Sequence, residues 1–202
     1  MSGGLKNALT VLSIGLALFV PAACTATPPA APTAFDITFQ HREPIILRVS
    51  RVDVVDRHEP LLRAPRVEHL YDVTPASIID RWAAERLKPV GAQGLVTLIV
   101  EEAGVIEERL PVSTGIGDLF RDEPDTRLTG VIRARFDHVD IGPPSQSRSV
   151  EILAEASVEV LESATLNERD LAYYRVVEKL AGEVDRVLTS EINKSMGSLI
   201  VR

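Results

Sequence analysis

The stretch VEILAEASVEV, residues 150–160, decides the fold class of this chain. Apolar side chains occupy its even positions, and three glutamates stand among the residues at its odd positions. This alternation predicts a β-strand in a sheet that is covered on one side only. Residues 132–137 alternate in the same way, and the sequence between the two segments contains Gly-Pro-Pro at 142–144. We therefore expect the two segments to form a hairpin with a long loop.

Downstream of this stretch the sequence predicts a long helix. Asn167 followed by Asp170 resembles a capping pair at its start, and Gly197 is the expected stop. The helix would run for about thirty residues, longer than the average for globular domains. It carries a sustained stripe of apolar residues at helical spacing: Leu171, Tyr174, Val177, Ala181, Val184, Leu188 and Ile192.

A shorter helix is predicted upstream, near residues 75–88. Thr74 suits the N-cap and Pro75 the first helical position, whereas Pro89 stops the helix. Trp82 lies on the apolar stripe of this helix. We therefore expect Trp82 to pack in the core rather than to stack on a ligand.

Other strands complete the predicted sheet. Residues 45–55 are rich in β-branched side chains whose apolar face changes partway, which predicts a strand with a twist or bulge. Residues 94–103 and 105–110 are predicted to form a hairpin around Gly104, whereas residues 59–68 and 113–126 are interpreted as loops, the second with a short helical turn around 118–122. The elements together predict an α+β fold with a single antiparallel or mixed sheet of about four to five strands and two helices packed on one face.

The first residues of the chain predict export. Lys6 precedes an apolar run at residues 8–20, and small residues follow this run. A charged start, a short apolar run and a small-residue end are the three parts of a secretory signal. Residues 1–23 are therefore predicted to be a signal peptide. A buried helix or a permanent membrane anchor are the alternatives, and the run is short for a membrane span.

Cys24 is predicted to be the lipid-bearing first residue of the mature protein. Ala22 and Ala23, the predicted signal-processing residues, resemble the small residues that precede the acylated cysteine in a bacterial lipobox. Pro21 departs from that motif, which usually has Leu, Val or Ile there. A single cysteine cannot form an internal disulfide, and acylation explains its presence in an exported chain. The alternative is cleavage nearby, for example after Ala26, which would leave a soluble periplasmic protein.

The rest of the chain divides into two predicted parts. Residues 24–34 are expected to be a lipid-anchored flexible tether, because their prolines stand among Ala and Thr and favour extended chain. Residues 35–202 are expected to form a single α+β domain. Without Lys6 the chain carries 21 basic and 29 acidic residues, a formal net charge of −8. An acidic domain repels nucleic acid, so nucleic acid is not an expected partner, and membrane attachment would come from the acyl chains.

No motif in the sequence predicts chemistry. The histidines, at positions 41, 58, 69 and 138, lack the spacing of a zinc helix, and no serine lies in a nucleophile-elbow motif. His138 is interpreted as a partly buried structural histidine. The carboxylate pairs Glu101-Glu102 and Glu107-Glu108 are interpreted as the solvated edge of the predicted hairpin. We therefore predict no catalytic residue, metal or cofactor, and a protein that is not an enzyme.

Two segments resemble a known family. YDVTPASIIDRWAAERL (71–87) and VEILAEASVEVLES (150–163), with the helix after the second, are similar to the auxiliary lipoproteins of ABC-type transport systems. These include the lipoprotein of the paraquat-inducible intermembrane transport complex and, more distantly, the lipopolysaccharide-assembly lipoprotein. In those families two helices cover one face of a small sheet. The loops at 59–68 and 113–126 depart from that pattern.

The resemblance implies a non-catalytic auxiliary or assembly component of an ABC-type or intermembrane transport system. Such a protein would bind envelope transport or assembly proteins, or lipid, and its exposed edge strand would be the docking site. Thr25, where an inner-membrane retention signal often has Asp, favours the outer membrane, facing the periplasm. The alternatives are a periplasmic small-ligand-binding or enzymatic domain, which a deep cavity lined by His69 or His138 and acids would favour, and a purely structural envelope lipoprotein.

Overall fold

The computed structural model describes residues 36–112, 122–140 and 145–201, all within the compact unit Phe35–Arg202. Two α-helices and six strands are the main regular elements of these residues, and two short 3-10 helices (Glu68–Leu70 and Gly197–Leu199) accompany them. In chain order the main elements are β1 (Ile45–Leu47), β2 (Arg51–Asp56), α1 (Pro75–Arg86), β3 (Leu87–Pro89), β4 (Leu95–Arg109), β5 (Pro124–Val139), β6 (Ser147–Leu161) and α2 (Leu166–Ser195). The predicted α+β class is confirmed.

The main sheet is mixed and has the strand order β2-β4-β5-β6. β2 pairs with β4 in parallel, whereas β4, β5 and β6 form an antiparallel meander. The predicted pairing of the two alternating segments is confirmed, and both strands extend beyond the predicted bounds. Long antiparallel pairing lets each strand satisfy its backbone groups along most of its length.

A second, two-stranded sheet corrects the prediction of a single sheet. β1 pairs in parallel with β3, and Leu47 also forms an antiparallel bridge with Ile200. The predicted strand 45–55 is therefore broken between Leu47 and Arg51, where Val49 is fully buried and Ser50 N donates to the carbonyl oxygens of residues 93 and 94. The change of apolar face in this segment marks a break between two sheets rather than a bulge in one strand.

Both helices bury their apolar stripes in the same core as the inner side chains of β4, β5 and β6. Trp82 of α1 is fully buried, so the expectation of core packing is confirmed. On β5, Gly130 lies beneath α2, where an added Cβ would be 3.0 Å from Leu180 Cδ2. The small residue therefore allows the long helix to approach the sheet closely.

The predicted hairpin around Gly104 is wrong. β4 continues through this glycine to Arg109 and pairs with β5 along its length, with a register shift between Val100 and Glu102. Gly104 lies inside the strand, and the side chains of Arg66 and Glu68 occupy the space that its missing Cβ leaves. The glycine therefore serves a close approach rather than a turn.

The helix starts are partly as predicted. Thr74 Oγ1 accepts a hydrogen bond from Ser77 N and caps α1, which ends at Arg86 because residues 87–89 form β3. α2 has the predicted length, but its N-cap is Thr165 rather than Asn167. Thr165 and Glu168 form a reciprocal capping box, in which the Glu168 carboxylate accepts from Thr165 N. This is the usual Thr–Glu form of the motif, two residues before the predicted start.

Part of the predicted loop 113–126 and the Gly-Pro-Pro sequence at 142–144 lie outside the described residues. Residues 124–126, at the end of that loop, already belong to β5. No helix in the part of the chain that the structure describes is both long enough and apolar enough to cross a membrane.

Candidate functional site

The predicted lipidation residue Cys24 and the predicted processing residues Ala22 and Ala23 lie outside the described residues. The same holds for the predicted signal peptide 1–23 and the predicted tether 24–34. These assignments remain predictions from the sequence. The structure does describe the predicted docking element, the edge strand.

β6 is an edge strand of the main sheet, and no described strand pairs with its outer side. At one end, Asp140 N donates to the Gln146 carbonyl oxygen (2.8 Å), and at the other Glu162 N donates to the Glu123 carbonyl oxygen (3.0 Å). The N–H and C=O groups of successive residues point to opposite edges of a strand. These bonds therefore indicate that the even-numbered residues of β6 direct their backbone N–H and C=O groups toward β5. The odd-numbered residues then direct their N–H and C=O groups out of the sheet edge.

A contact from α2 agrees with this direction. Lys179 Nζ donates to the Ser157 carbonyl oxygen at 3.4 Å. The side chains of the odd-numbered residues of β6 are exposed. Leu153 is 49% exposed and stands between Glu151 and Glu155 on the outer face. The edge thus offers backbone hydrogen-bonding groups beside an exposed row of charged and apolar side chains.

The N-terminal strap, residues 36–42, contacts both helices. Asp36 forms an ion pair with Arg81 of α1, and Arg81 Nη1 also donates to the Ile37 carbonyl oxygen (2.8 Å). Glu85 accepts hydrogen bonds from the strap, among them one from Phe39 N at 2.5 Å. These bonds hold the pKa of the Glu85 carboxyl below its usual value, although desolvation opposes them.

The strap ends at a buried ionic cluster between the helices. Asp185 of α2, 8% exposed, accepts hydrogen bonds from Trp82 Nε1 (2.9 Å) and Arg86 Nε (2.8 Å). Its second carboxylate oxygen lies 3.5 Å from Arg42 Nε. Arg86 also donates to Thr189 Oγ1 at 3.1 Å. Each charged group in the cluster therefore has a partner, as buried charges require.

A second buried polar cluster lies where the chain passes β4 beyond the end of β2. Glu68 Oε2 accepts from Val105 N (3.0 Å), and Arg66 Nη2 donates to Glu102 Oε1 (2.5 Å). His58 Nε2 lies 3.9 Å from Glu68 Oε1, and neither of these two atoms has a hydrogen-bond partner among the described residues. The Glu68 carboxylate therefore closes the edge of β4 where β2 no longer pairs with it.

Tyr71 and Tyr173 stack beside this cluster, with ring centroids 3.6 Å apart. Tyr173 donates from its hydroxyl to the Val73 carbonyl oxygen at 3.0 Å. Burial, with the nearby Glu68 carboxylate and Tyr71, raises the pKa of the Tyr173 phenol well above its usual range. The phenol therefore remains a neutral hydrogen-bond donor.

The position of His138 bears on the ligand-binding alternative. His138 is 5% exposed and borders a cleft of about 550 Å³ that Asp140, Arg48 and Arg148 also line. Burial lowers the pKa of its imidazole, with Arg148 adding to the effect and Asp140 opposing it. His69 is exposed and does not line this cleft. Among the described residues no three His, Cys, Asp or Glu side chains are grouped to hold a metal ion.

A larger cleft of about 840 Å³ lies beside the Asp185 cluster. Its walls combine Arg42 and Arg186 with Glu43 and the apolar residues Ile45 and Ile46. Charges of both signs line it, and Asp185 is already paired. The cleft therefore lacks a convergent set of groups for one ligand.

The predicted carboxylate pairs are divided between different contacts. Glu102 contacts Arg66 and Arg133, whereas Glu101 lies 3.2 Å from Arg135 Nη1. The hairpin that they were expected to border does not form, because β4 continues through Gly104, but Glu101, Glu107 and Glu108 are exposed as expected. The register shift between Val100 and Glu102 places both carboxylates beside arginines that lie two residues apart on one face of β5.

The sequence did not predict the residues of the two buried clusters, which are Asp185, Arg86, Arg66 and Glu68. One signal was present for Asp185, which lies four residues after Ala181 and three before Leu188 and so falls on the apolar stripe of α2. A carboxylate at such a position needs a buried partner. No local pattern marks Arg66 or Glu68.

No family model matches this sequence, and no curated protein matches it. Among solved structures, rare lipoprotein B from Shewanella oneidensis is similar at 12% identity over 73% of this chain and 97% of that one, with a TM-score of 0.39. A minor lipoprotein from Acinetobacter baumannii is similar at 12% identity over 79% and 99%, with a TM-score of 0.36. A DUF330 family protein from Xanthomonas campestris is similar at 9% identity over 75% of this chain and 97% of that one, with a TM-score of 0.29. The function is therefore inferred from the residues and contacts of this chain.

Proposed function

We propose that this protein is a lipid-anchored component of a bacterial cell envelope that acts, without catalysis, as an auxiliary or assembly factor of an ABC-type or intermembrane transport system. It binds partner proteins or lipid from the periplasmic face of the outer membrane. The observation that carries the proposal is the outer edge of β6, with which no described strand pairs and from which backbone groups point out of the sheet. Edge strands bind partner proteins by adding a strand of the partner to the sheet.

The lipid anchor rests on the sequence. Ala22 and Ala23 precede Cys24, and a proline-rich segment follows it. Two or more acyl chains at one residue would anchor the protein stably, since each buried methylene contributes about 0.8 kcal/mol. The Cys24→Ser variant is expected to leave the membrane fraction and to be processed differently. Unchanged membrane association and processing would remove lipidation from the proposal.

Partner binding has a separate test. Crosslinking in the native organism at wild-type protein levels is expected to recover a protein of an envelope transport or assembly system. The genes beside the coding sequence are expected to include an ATPase, a permease or a substrate-binding component. Recovery of no envelope protein would contradict the proposed role, whatever the outcome for Cys24.

A small-ligand-binding function is the second candidate, and the cleft at His138 favours it. The buried Nδ1 atom of His138 has no hydrogen-bond partner among the described residues. Arg48, Arg148 and Asp140 supply charges around the same cleft. A small polar ligand that raises the thermal midpoint of the wild type, but not of His138→Leu, would support this function over partner docking.

A further inference from the structure

We propose that the outer edge of β6 takes an extended strand of a partner protein whose exposed face alternates basic side chains around one apolar residue. This inference rests on the proposed function and names the chemistry of the partner. It starts from the direction of the backbone. The odd-numbered residues of β6 point their N–H and C=O groups out of the sheet, so an added strand would hydrogen-bond at these positions.

The side chains at the same positions determine what kind of strand fits. Glu151, Glu155 and Glu159 are exposed on the outer face at every fourth position, with Leu153 between the first two. Only Glu159 has a cationic partner among the described contacts, since its carboxylate lies 2.7 Å from Arg127 Nη2. Opposite charges on directly facing residues stabilise a strand pair, and like charges destabilise it. Lysine or arginine opposite Glu151 and Glu155 is therefore favoured.

The same row argues against a second copy of this chain as the occupant. An antiparallel pair of β6 strands would bring two rows of glutamates onto one face of a joined sheet. Registers centred on residue 153, 155 or 157 would place glutamate directly opposite glutamate, and the neighbouring registers would place the carboxylates diagonally. Charged residues on an edge strand protect natural sheets from such self-association. The acidic row thus excludes self-pairing while it selects a basic strand.

Leu153 adds an apolar contact at the centre of the row. It is half exposed, and its neighbours on the outer face of β6 are carboxylates. An apolar side chain opposite Leu153 would bury it on strand addition, and the flanking ion pairs would surround that contact. This arrangement gives the partner strand a register, because a shift by two residues would place a basic side chain opposite the leucine.

The test uses the purified full chain and two short, labelled, acetylated and amidated peptides. One alternates lysine with threonine and carries leucine at its centre, and the other has glutamate in place of lysine. Fluorescence anisotropy is expected to show binding of the lysine peptide at least about tenfold tighter than that of the glutamate peptide. The Glu151→Lys/Glu155→Lys variant is expected to reverse this preference.

A matched control separates the edge from the overall negative charge. Glu59 and Glu178 are exposed residues outside β6, and Glu59→Lys/Glu178→Lys changes the net charge by the same amount. This control is expected to keep the preference for the lysine peptide. If it loses the preference as fully as the edge variant does, general attraction explains the binding and the inference falls.

Hydrogen exchange supplies the geometric readout. The amides of residues 151, 153, 155 and 157 are expected to gain protection when the lysine peptide binds, while the even-numbered amides are already protected by β5. Peptide binding without protection of the odd-numbered amides would overturn the inference. Neither measurement depends on Cys24 or on a cellular partner. Recovery of an envelope partner that binds at another surface would refute the β6 edge as the docking site and leave the proposed function standing.

Discussion

Asp185 of α2 joins the two helices through a buried ionic cluster. Its carboxylate accepts from Trp82 and Arg86 and faces Arg42. Asp185→Ala would leave the Arg86 guanidinium buried without its charge partner, and such losses cost about 3–5 kcal/mol. Urea denaturation is expected to show a fall of this size in the free energy of unfolding.

A control for Asp185 lies two residues earlier on the same helix. Glu183 pairs with the exposed Arg186, and exposed ion pairs contribute little to stability. Glu183→Ala is therefore expected to leave the urea midpoint almost unchanged. Equal losses in the free energy of unfolding for the two substitutions would show that the buried cluster contributes no more to stability than an exposed ion pair.

Protonation of His138 is expected to lower the stability of the folded protein at acidic pH. Burial lowers the pKa of its imidazole below the usual value of about 6.5, so the unfolded chain binds the proton more readily than the folded one. The stabilising effect is complete above pH 6.5 and is lost as the pH falls through the lower folded-state value. One such group contributes a slope of at most about 1.4 kcal/mol per pH unit.

The measurement is the free energy of unfolding between pH 7.5 and pH 5. The slope of the wild type is expected to exceed that of His138→Gln in this range. His69→Gln, at an exposed position, is the control for removing a histidine elsewhere in the chain. A slope unchanged by removal of His138 would contradict this assignment.

At the scale of elements, two glycines in different environments give opposite expectations. An alanine Cβ at position 104 would collide with the Arg66 guanidinium and lie 3.0 Å from Glu68 Oε1. Gly104→Ala is expected to destabilise the protein by about 1–3 kcal/mol, the usual cost of overpacking. Gly182→Ala on α2, where no atom lies within 4 Å of the added Cβ, is expected to stabilise it by about 0.5–1 kcal/mol. Thermal and urea unfolding would report both, and effects of the same sign would contradict the placement of Arg66.

The start of α2 offers another comparison. Thr165→Ala removes the hydroxyl that accepts from Glu168 N, and loss of such a cap costs about 1 kcal/mol. Asn167, the start expected from the sequence, is exposed inside the helix, so Asn167→Ala is expected to be neutral or slightly stabilising. Urea denaturation distinguishes the two positions. A larger loss of stability for Asn167→Ala than for Thr165→Ala would show that Asn167 is the N-cap.

The elements best predicted from the sequence are those whose period is uninterrupted. The alternation at 150–160 identified β6, and the helical stripe identified α2, because burial of one face imposes each period. The prediction for β4 was wrong because Gly104 indicated a turn, whereas the strand continues through it. A glycine in a strand signals either a turn or a close approach, and only the position of Arg66, which lies far away in the sequence, decides between them.

At the scale of the whole molecule, the sequence could not indicate which distant segments meet. Arg86 and Asp185 are 99 residues apart, and Glu68 meets Val105 across the edge of β4. The parallel pairing of β2 with β4 and the small sheet of β1 and β3 also join separated segments. Each arises from the need to partner buried charges and backbone groups once the core has formed, which no local pattern records. The sequence predicted docking at an edge strand without specifying which one, and only the strand order and register of β6 show that its acidic side chains lie along such an edge.

The N-terminal strap has a mechanical consequence. Any pull on the chain from before residue 36 meets first the Asp36–Arg81 ion pair, then the hydrogen bonds to Glu85, then the buried Phe39 ring, and last the contact of Arg42 with Asp185. A force applied to the strap therefore acts first on its contacts with α1 and α2. If the domain is held at its N-terminus, the contacts of the strap would break before tension disturbs the outer edge of β6, the docking surface that we propose.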